Sequence, residues 1–181
     1  MFAAMRSVIT RLAIGLAAGG LLSAIPAQAQ TPQSLISNPG KWGAFTVKEK
    51  DGTACYLAGK PDDTAPDNVK RGPVWLLVTH RPHRQVENEV SIYIGYPFKA
   101  DSTVTVTIDG NTTDMFTDGE TAWASDASSD LQLTNAMRAG LKMVVEGESS
   151  RGTKTTDTYS LSGFTRAHNA INQACGAKSG G

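Results

Sequence analysis

Strict alternation of threonine with aliphatic residues in the segment Thr103–Ile108 is the pattern that most restricts the fold of this chain. Because successive side chains of a β-strand point to opposite faces, the segment has one apolar and one hydroxyl face. The segment Glu89–Ile94 repeats the alternation. Asp109-Gly110 and Asp118-Gly119 offer the positive φ angles of tight hairpins. The pattern therefore predicts antiparallel strands joined by short turns.

Further segments extend this prediction. Pro73–Thr79 is apolar on both faces, which is typical of a central strand. Four other segments have strand character: Trp42–Val47, Ala54–Leu57, Leu141–Val145 and Thr155–Leu161. The predicted fold class is mainly β, an antiparallel β-sandwich or barrel-like domain with two short helices.

The two helices are predicted at Asp126–Ala139 and Phe164–Cys175. In the first, Ser128 or Ser129 is a plausible N-cap and Gly140 a C-terminal stop. The second places apolar side chains along one helical stripe, formed by Phe164, Ala167, Ala170, Ile171 and Ala174. This helix is able to carry Cys175 back to the strand that holds Cys55.

The first 29 residues have the pattern of a cleavable secretory signal. Arg6 precedes an apolar segment, and Pro26 is followed by small residues up to Ala29, near which we expect cleavage. The uncharged segment Leu12–Ile25 has 14 residues, fewer than the ~20 that span a bilayer. We expect export to the periplasm, or secretion or display on the outer envelope. Residues 30–175 are predicted as one domain and residues 176–181 as a disordered tail.

The charge and hydropathy of the mature chain restrict the classes of partner that it is expected to bind. Removing Arg6 and Arg11 from the 17 basic residues leaves 15, against 17 acidic residues, a net charge of −2. This balance argues against nucleic acid, since phosphate binding needs a concentrated positive field. The mature chain shows no transmembrane segment. We expect a protein or another envelope component as partner.

Cys55 and Cys175 are the two cysteines of the chain. In an oxidising compartment an even pair is generally bridged, and closing a 120-residue separation removes about 4–5 kcal/mol of chain entropy. Two buried thiols are the alternative. We predict a structural disulfide.

The densest cluster of chemically active side chains follows the predicted central strand and consists of His80, Arg81, His83 and Arg84. Arginine forks and titratable imidazoles suit a phosphate or an acidic sugar, so the cluster is a possible anion-binding site. A metal site at His80 and His83 lacks a third ligand nearby. A solvated turn that keeps a strand end soluble is the simplest interpretation.

Other candidate residues favour structural roles. His168 is off the apolar stripe and is predicted to lie on the surface. A sugar-stacking platform is the alternative for the three tryptophans, Trp42, Trp75 and Trp123, although Trp75 is predicted to lie in the core. The acids Asp114, Asp118 and Glu120 surround a hairpin without a defined separation, and no Gly-x-Ser-x-Gly elbow is present. The residues alone predict no catalytic set, no cofactor and no metal.

Several of these segments resemble the invasion-associated locus B family. Trp42-Gly43, Cys55 and Glu89–Pro97 are similar to the early part of that domain. The late part is closer, in three segments: Ala136–Gly140, Ser150–Thr153 and the strand Asp157–Leu161 with the helix after it. The resemblance covers roughly residues 41–175. Many relatives carry a cysteine pair after the hairpin, and the segment Met115–Trp123 has none.

The resemblance implies an exported envelope protein of α-proteobacterial type and transfers no catalytic residue. Two functional hypotheses follow. The first is a non-enzymatic envelope protein that binds a partner through its β-surface. The alternative is a periplasmic hydrolase that acts on an envelope glycan or ester.

Overall fold

The computed structural model describes residues 31–177. The strands within them are β1 Gln33–Ser34, β2 Trp42–Glu49, β3 Gly52–Gly59, β4 Asp63–Ala65, β5 Trp75–Arg81, β6 Val86–Tyr93, β7 Thr103–Ile108, β8 Asn111–Asp118, β9 Thr121–Trp123, β10 Lys142–Glu148 and β11 Lys154–Ser160. The helices are α1 Ala127–Ala139 and α2 Phe164–Cys175. A short 3-10 helix, Pro82–Arg84, lies between β5 and β6. The predicted signal and most of the predicted tail lie outside the described residues.

All described strands form one antiparallel sheet in the order β1-β2-β3-β5-β6-β9-β8-β7-β10-β11-β4. The sheet curls so that β2 and β11, near its two ends, meet. The Trp42 indole N–H on β2 donates to the Ser160 carbonyl on β11 over 2.9 Å, and the Trp42 ring stacks on Tyr159. The mainly β, antiparallel prediction is therefore confirmed.

The inward face of the curled sheet forms the core. As the alternation predicted, Val104, Val106 and Ile108 of β7 are buried, and the core continues through Leu76, Val78 and other inward residues. The β7–β8 turn has positive φ at Asp109 (46°) and Gly110 (91°), as a two-residue hairpin requires. β1, β4, β8 and β9 were not predicted. Met115 is the one buried residue in β8, so that strand lacks an alternating pattern.

A buried ion pair lies inside the curled sheet. Arg71 donates two side-chain hydrogen bonds to the Asp157 carboxylate of β11, one of them over 2.9 Å, and a third to the Ile94 carbonyl. The Asp157 side chain is 0% exposed and that of Arg71 9% exposed. Burial of either charge alone would be costly, so the pair fixes the segment before β5 against β11.

The helices agree with prediction in their bounds and differ in detail. α1 is capped by Asp126, whose carboxylate accepts the Ser129 N–H over 2.8 Å, and the serine N-cap prediction was wrong. A carboxylate both accepts the free N–H group and opposes the positive end of the helix dipole. Asp130 of α1 accepts the Val90 N–H, which attaches the helix to β6.

α2 lies against β2, β3 and β5 and is joined to β3 by the disulfide. The Cys55–Cys175 bond is present, with Cα atoms 6.0 Å apart, so the predicted pairing is confirmed. Cys55 is fully buried. The bond therefore fastens the last helical turn to β3, an interior strand of the sheet.

Candidate functional site

The outward face of the sheet carries a band of aromatic and apolar side chains. Strand pairing aligns one row across six strands, formed by Gly43, Ala58, Leu77, Ser91, Trp123 and Phe116. Phe45 pairs with Tyr56 beside this row, and Trp75 with Tyr93 on its other side. We call the set Phe45, Tyr56, Trp75, Leu77, Tyr93, Phe116 and Trp123 the aromatic face.

The exposure of these side chains is high for residues of their size. Trp75 is 36% exposed, Tyr93 42% and Phe116 50%. The sequence prediction that Trp75 belongs to the core was wrong: its strand buries Leu76, Val78 and His80, and Trp75 points the other way. Monomeric proteins rarely expose large contiguous apolar surface, and such surface usually marks a site of interaction.

A shallow trough runs through the aromatic face. It encloses about 350 Å³ and is lined by Tyr56, Ala58, Trp75, Leu77 and Tyr93. Ala58 forms its floor because its small side chain pairs with the larger Leu77 on β5 and with Gly43, which has no side chain, on β2. The side-chain polar atoms of this lining are the two tyrosine hydroxyls and the indole N–H. The trough therefore suits an apolar side chain.

A second depression, of about 430 Å³, adjoins the trough and shares Ala58 and Trp75 with it. Its lining adds charge, with Lys41, Lys60 and Asp62. Lys41 pairs with Asp62, and the Lys60 ammonium lies 4.4 Å from the centre of the Trp75 ring. Two lysines against one aspartate give this half a net charge of +1. We call it the basic depression.

One glycine shapes the border of this surface. A Cβ at Gly43 would lie 2.5 Å from the Phe45 ring, so the ring folds back over its own strand. The Phe45 ring also stacks on Tyr56, with centres 5.3 Å apart. Both rings are thereby held in place before any partner binds, which lowers the entropy lost on association.

The predicted anion cluster is divided by the structure. His80 points inward and is 0% exposed, whereas Arg81 lies on the outer surface between two carboxylates. Arg81 Nε is 3.1 Å from Glu49 and its Nη1 is 2.5 Å from Glu89. Burial lowers the pKa of Arg81, but the hydrogen bonds and negative charges of Glu89 and Glu49 outweigh this effect and raise it. The guanidinium therefore stays charged and is neutralised by these carboxylates.

The other two members of the cluster also face acids. His83 Nε2 is 3.3 Å from Glu49, and an Arg84 nitrogen is 3.7 Å from Asp51. His80 is thus separated from Arg81, His83 and Arg84, whose side chains have carboxylate neighbours. Anion binding by this cluster stays a prediction.

Inside the fold, His80 belongs to a closed ring of buried polar side chains that the sequence did not predict. Its Nδ1 accepts the Asn88 backbone N–H (3.0 Å), and its Nε2 lies 2.8 Å from Asn172 Oδ1. His168 Nε2 lies 2.7 Å from Asn88 Oδ1, and Asn172 Nδ2 is 3.4 Å from His168 Nδ1. We call these four residues the histidine–asparagine ring.

Local backbone geometry makes this ring possible. Between the pairs Thr79–Glu89 and Arg81–Val86, β6 has one residue more than β5, a β-bulge. Asn88 lies in the bulge with φ of 60°, a left-handed conformation in which asparagine is common. The bulge turns the Asn88 side chain into the core, towards α2.

Both imidazoles are neutral in this arrangement. His80 must carry its proton on Nε2, because Nδ1 accepts a hydrogen bond, and the bonds of His168 place its proton on Nε2 as well. Burial lowers the pKa of His80, and burial together with the proximity of the His80 ring and the Arg138 guanidinium lowers the pKa of His168 to about 4. The prediction that His168 lies on the surface was wrong, since it is 2% exposed.

The other candidate catalytic and metal-binding side chains do not converge on one site in the described part of the chain. The predicted hairpin acids Asp114 and Asp118 lie on β8 and Glu120 in the following turn, and Asp114 accepts a hydrogen bond from Thr105. Among residues 31–177, no three His, Cys, Asp or Glu side chains converge to hold a metal ion. Within the same residues, no helix is long and apolar enough to cross a membrane.

Comparison with known families confirms the resemblance seen in the sequence. The model of the invasion-associated locus B (IalB) proteins matches residues 42–172. The chain belongs to the IalB family. Searches of curated proteins and of solved structures found no match.

The IalB match contains the whole lining of the apolar trough and all four members of the histidine–asparagine ring. It ends before Cys175, so it includes only one of the two disulfide-bonded cysteines. In this IalB protein, the internal ring attaches the last helix to the sheet, and the sheet in turn presents the aromatic face. The ring has a structural role, and the exposed face is the candidate functional site.

Proposed function

We propose that this IalB protein is a non-enzymatic, exported envelope protein that binds a partner through its aromatic face. The observation that carries the proposal is the exposure of Trp75 on β5, Tyr93 on β6 and Phe116 on β8, on the same face of one sheet. Tryptophan and tyrosine are enriched among the residues that dominate binding energy at protein interfaces. Their exposure in the free chain supports a binding role.

Export supports the same proposal. The secretory pattern of residues 1–29 predicts cleavage near Ala29, and a disulfide that closes 120 residues suits an oxidising compartment. Export is tested by expressing the full chain in its cellular context, fractionating the cells and measuring the mass of the purified protein. An unprocessed N-terminus in a cytoplasmic fraction would contradict it.

Site-specific photo-crosslinking in intact cells tests the binding role. A benzophenone amino acid replaces Tyr93 in one strain and Leu141 in another. Leu141 is the matched control, because it is 80% exposed and lies outside the aromatic face. We expect a defined adduct from position 93 and none from position 141.

The decisive comparison adds a second substitution. Trp75→Ser should abolish the position-93 adduct while leaving the thermal unfolding midpoint nearly unchanged, because Trp75 is at the surface. Adducts of equal yield from both positions, or none from position 93 under conditions in which the protein is folded and exported, would refute binding through this face.

A further inference from the structure

The trough and the basic depression together describe the chemistry of the partner. They share Ala58 and Trp75, so a ligand that fills one necessarily borders the other. One half is lined by apolar side chains and the other has a net positive charge. A complementary ligand therefore combines a bulky apolar group with a neighbouring negative charge.

Lys60 is the cation that remains available. The Lys41 ammonium is occupied by Asp62, whose second oxygen accepts the Ser160 N–H over 2.6 Å. Lys60 contacts no carboxylate among residues 31–177, and its ammonium lies over the Trp75 ring. A cation held over an exposed indole is in position to meet a carboxylate at the rim of the trough.

The lining of the trough also discriminates between classes of ligand. Sugars and nucleotides also stack on exposed aromatic rings, but their specific recognition relies in addition on several convergent polar groups, such as amides, carboxylates or guanidinium groups. Among the side chains of the trough there are only two hydroxyls and one indole N–H, with no charged or amide group. A large aliphatic or aromatic side chain of a protein fills such a space without leaving polar groups unsatisfied.

Building on the proposed function, we propose that the aromatic face binds an extended protein segment. The segment places a large apolar side chain in the trough and a nearby Asp or Glu carboxylate on Lys60. The rings of Tyr56, Trp75 and Tyr93 surround the apolar anchor. The ion pair with Lys60 at the rim sets the position of the segment along the face.

A selection with displayed peptides tests this chemistry. The exported protein, purified from cells that express the full chain, is immobilised and used to select random dodecapeptides on phage. We expect enriched peptides to carry Asp or Glu close to Leu, Ile, Phe or Trp. Enriched peptides are then synthesised, and their Kd values are measured for the wild type and for variants.

Matched variants separate the two halves of the site. Tyr93→Ser should weaken binding at least about tenfold, as expected for an aromatic anchor site. Replacing the peptide acid by its amide should weaken binding about tenfold to the wild type and have no effect on Lys60→Met, because the ion pair is then absent. Lys154→Met is the control: Lys154 is exposed on β11, away from the trough. Circular dichroism confirms that each variant is folded.

The outcomes distinguish the chemistry of the bound segment from the binding face itself. If Tyr93→Ser abolishes binding while the peptide acid and Lys60 have no effect, the proposed segment chemistry is wrong and the binding face stands. If neither Tyr93→Ser nor Trp75→Ser changes binding, both proposals fail. If soluble peptidoglycan fragments bind in a Tyr93-dependent manner and no peptide is enriched, the ligand is a glycan and the protein-segment proposal is overturned.

Discussion

His80 on β5 and Asn172 on α2 are 92 residues apart in sequence, and His80 Nε2 lies 2.8 Å from Asn172 Oδ1 in the core. The bond is one side of the histidine–asparagine ring, and both residues are nearly fully buried. It joins the last helix to a central strand close to the disulfide, because His80 pairs directly with Cys55. The ring and the disulfide therefore fasten the same helix to the same part of the sheet.

Removal of the Asn172 side chain should show how much its hydrogen bond to His80 contributes to the free energy of unfolding. Asn172→Ala leaves the buried His80 N–H without its acceptor, and we expect the free energy of unfolding to fall by about 1–3 kcal/mol. Urea denaturation measures the change. Asn169→Ala is the control, because Asn169 is exposed on the same helix, and it should alter stability by no more than about 0.5 kcal/mol. Equal effects of both changes would contradict a stabilising ring.

The neutral imidazole of His168 should make the fold sensitive to acid. Its pKa falls from 6.5 in the unfolded chain to about 4 in the folded protein. Below pH 6.5 the unfolded chain therefore binds more protons, so stability is complete above pH 6.5 and is lost as the pH falls towards 4. At about 1.4 kcal/mol for each pKa unit, we expect a loss of roughly 3 kcal/mol between these limits.

The measurement compares the wild type with His168→Gln by denaturation at several pH values. Asp130 acts in the opposite direction, because burial raises its pKa to about 6 and it binds a proton more readily in the folded protein. This contribution is present in both proteins and cancels in their difference. The stability gap between wild type and variant should shrink on acidification, and a constant gap would exclude the protonation of His168 as the cause.

Loss of the disulfide should weaken the protein substantially. Cys175→Ala removes the bond without opening a cavity at the buried Cys55, because Cys175 is the more exposed partner. We expect the free energy of unfolding to fall by about 2–5 kcal/mol, since the unfolded chain regains the entropy of a long loop. The wild type should migrate differently on a gel with and without reductant. Two titratable thiols in the unreduced protein would disprove the bond.

The Arg71–Asp157 pair provides a test of charge burial. Asp157→Asn leaves the guanidinium of Arg71 without its counter-charge, and we expect a loss of about 3–5 kcal/mol in denaturation experiments. The double variant Arg71→Met, Asp157→Leu removes both charges and should recover part of that loss. A double variant less stable than Asp157→Asn would contradict this account. It would show that the loss of stability comes from the missing ion pair and not from the unpaired charge of Arg71.

The sequence by itself determined the elements that rest on local patterns. Alternation in Thr103–Ile108 predicted β7 with its observed bounds, and Phe164–Cys175 was predicted as the helix that the structure contains. The Leu141–Val145 prediction was wrong at one end: Met143 and Val145 are buried in β10, and Leu141 is 80% exposed. These patterns reflect the geometry of one strand or one helix, which neighbouring residues alone specify.

Only the tertiary structure decided which faces are covered. The buried stripe of α2 includes His168 and Asn172, polar residues that enter the core because Asn88 and His80 arrive there from distant strands to bond them. Trp75 remains outside because, within residues 31–177, no helix packs over the outer side of β5 at that position. Local periodicity assigns side chains to faces, but burial depends on partners brought together by the whole chain. For the same reason the aromatic face became visible only in the folded protein.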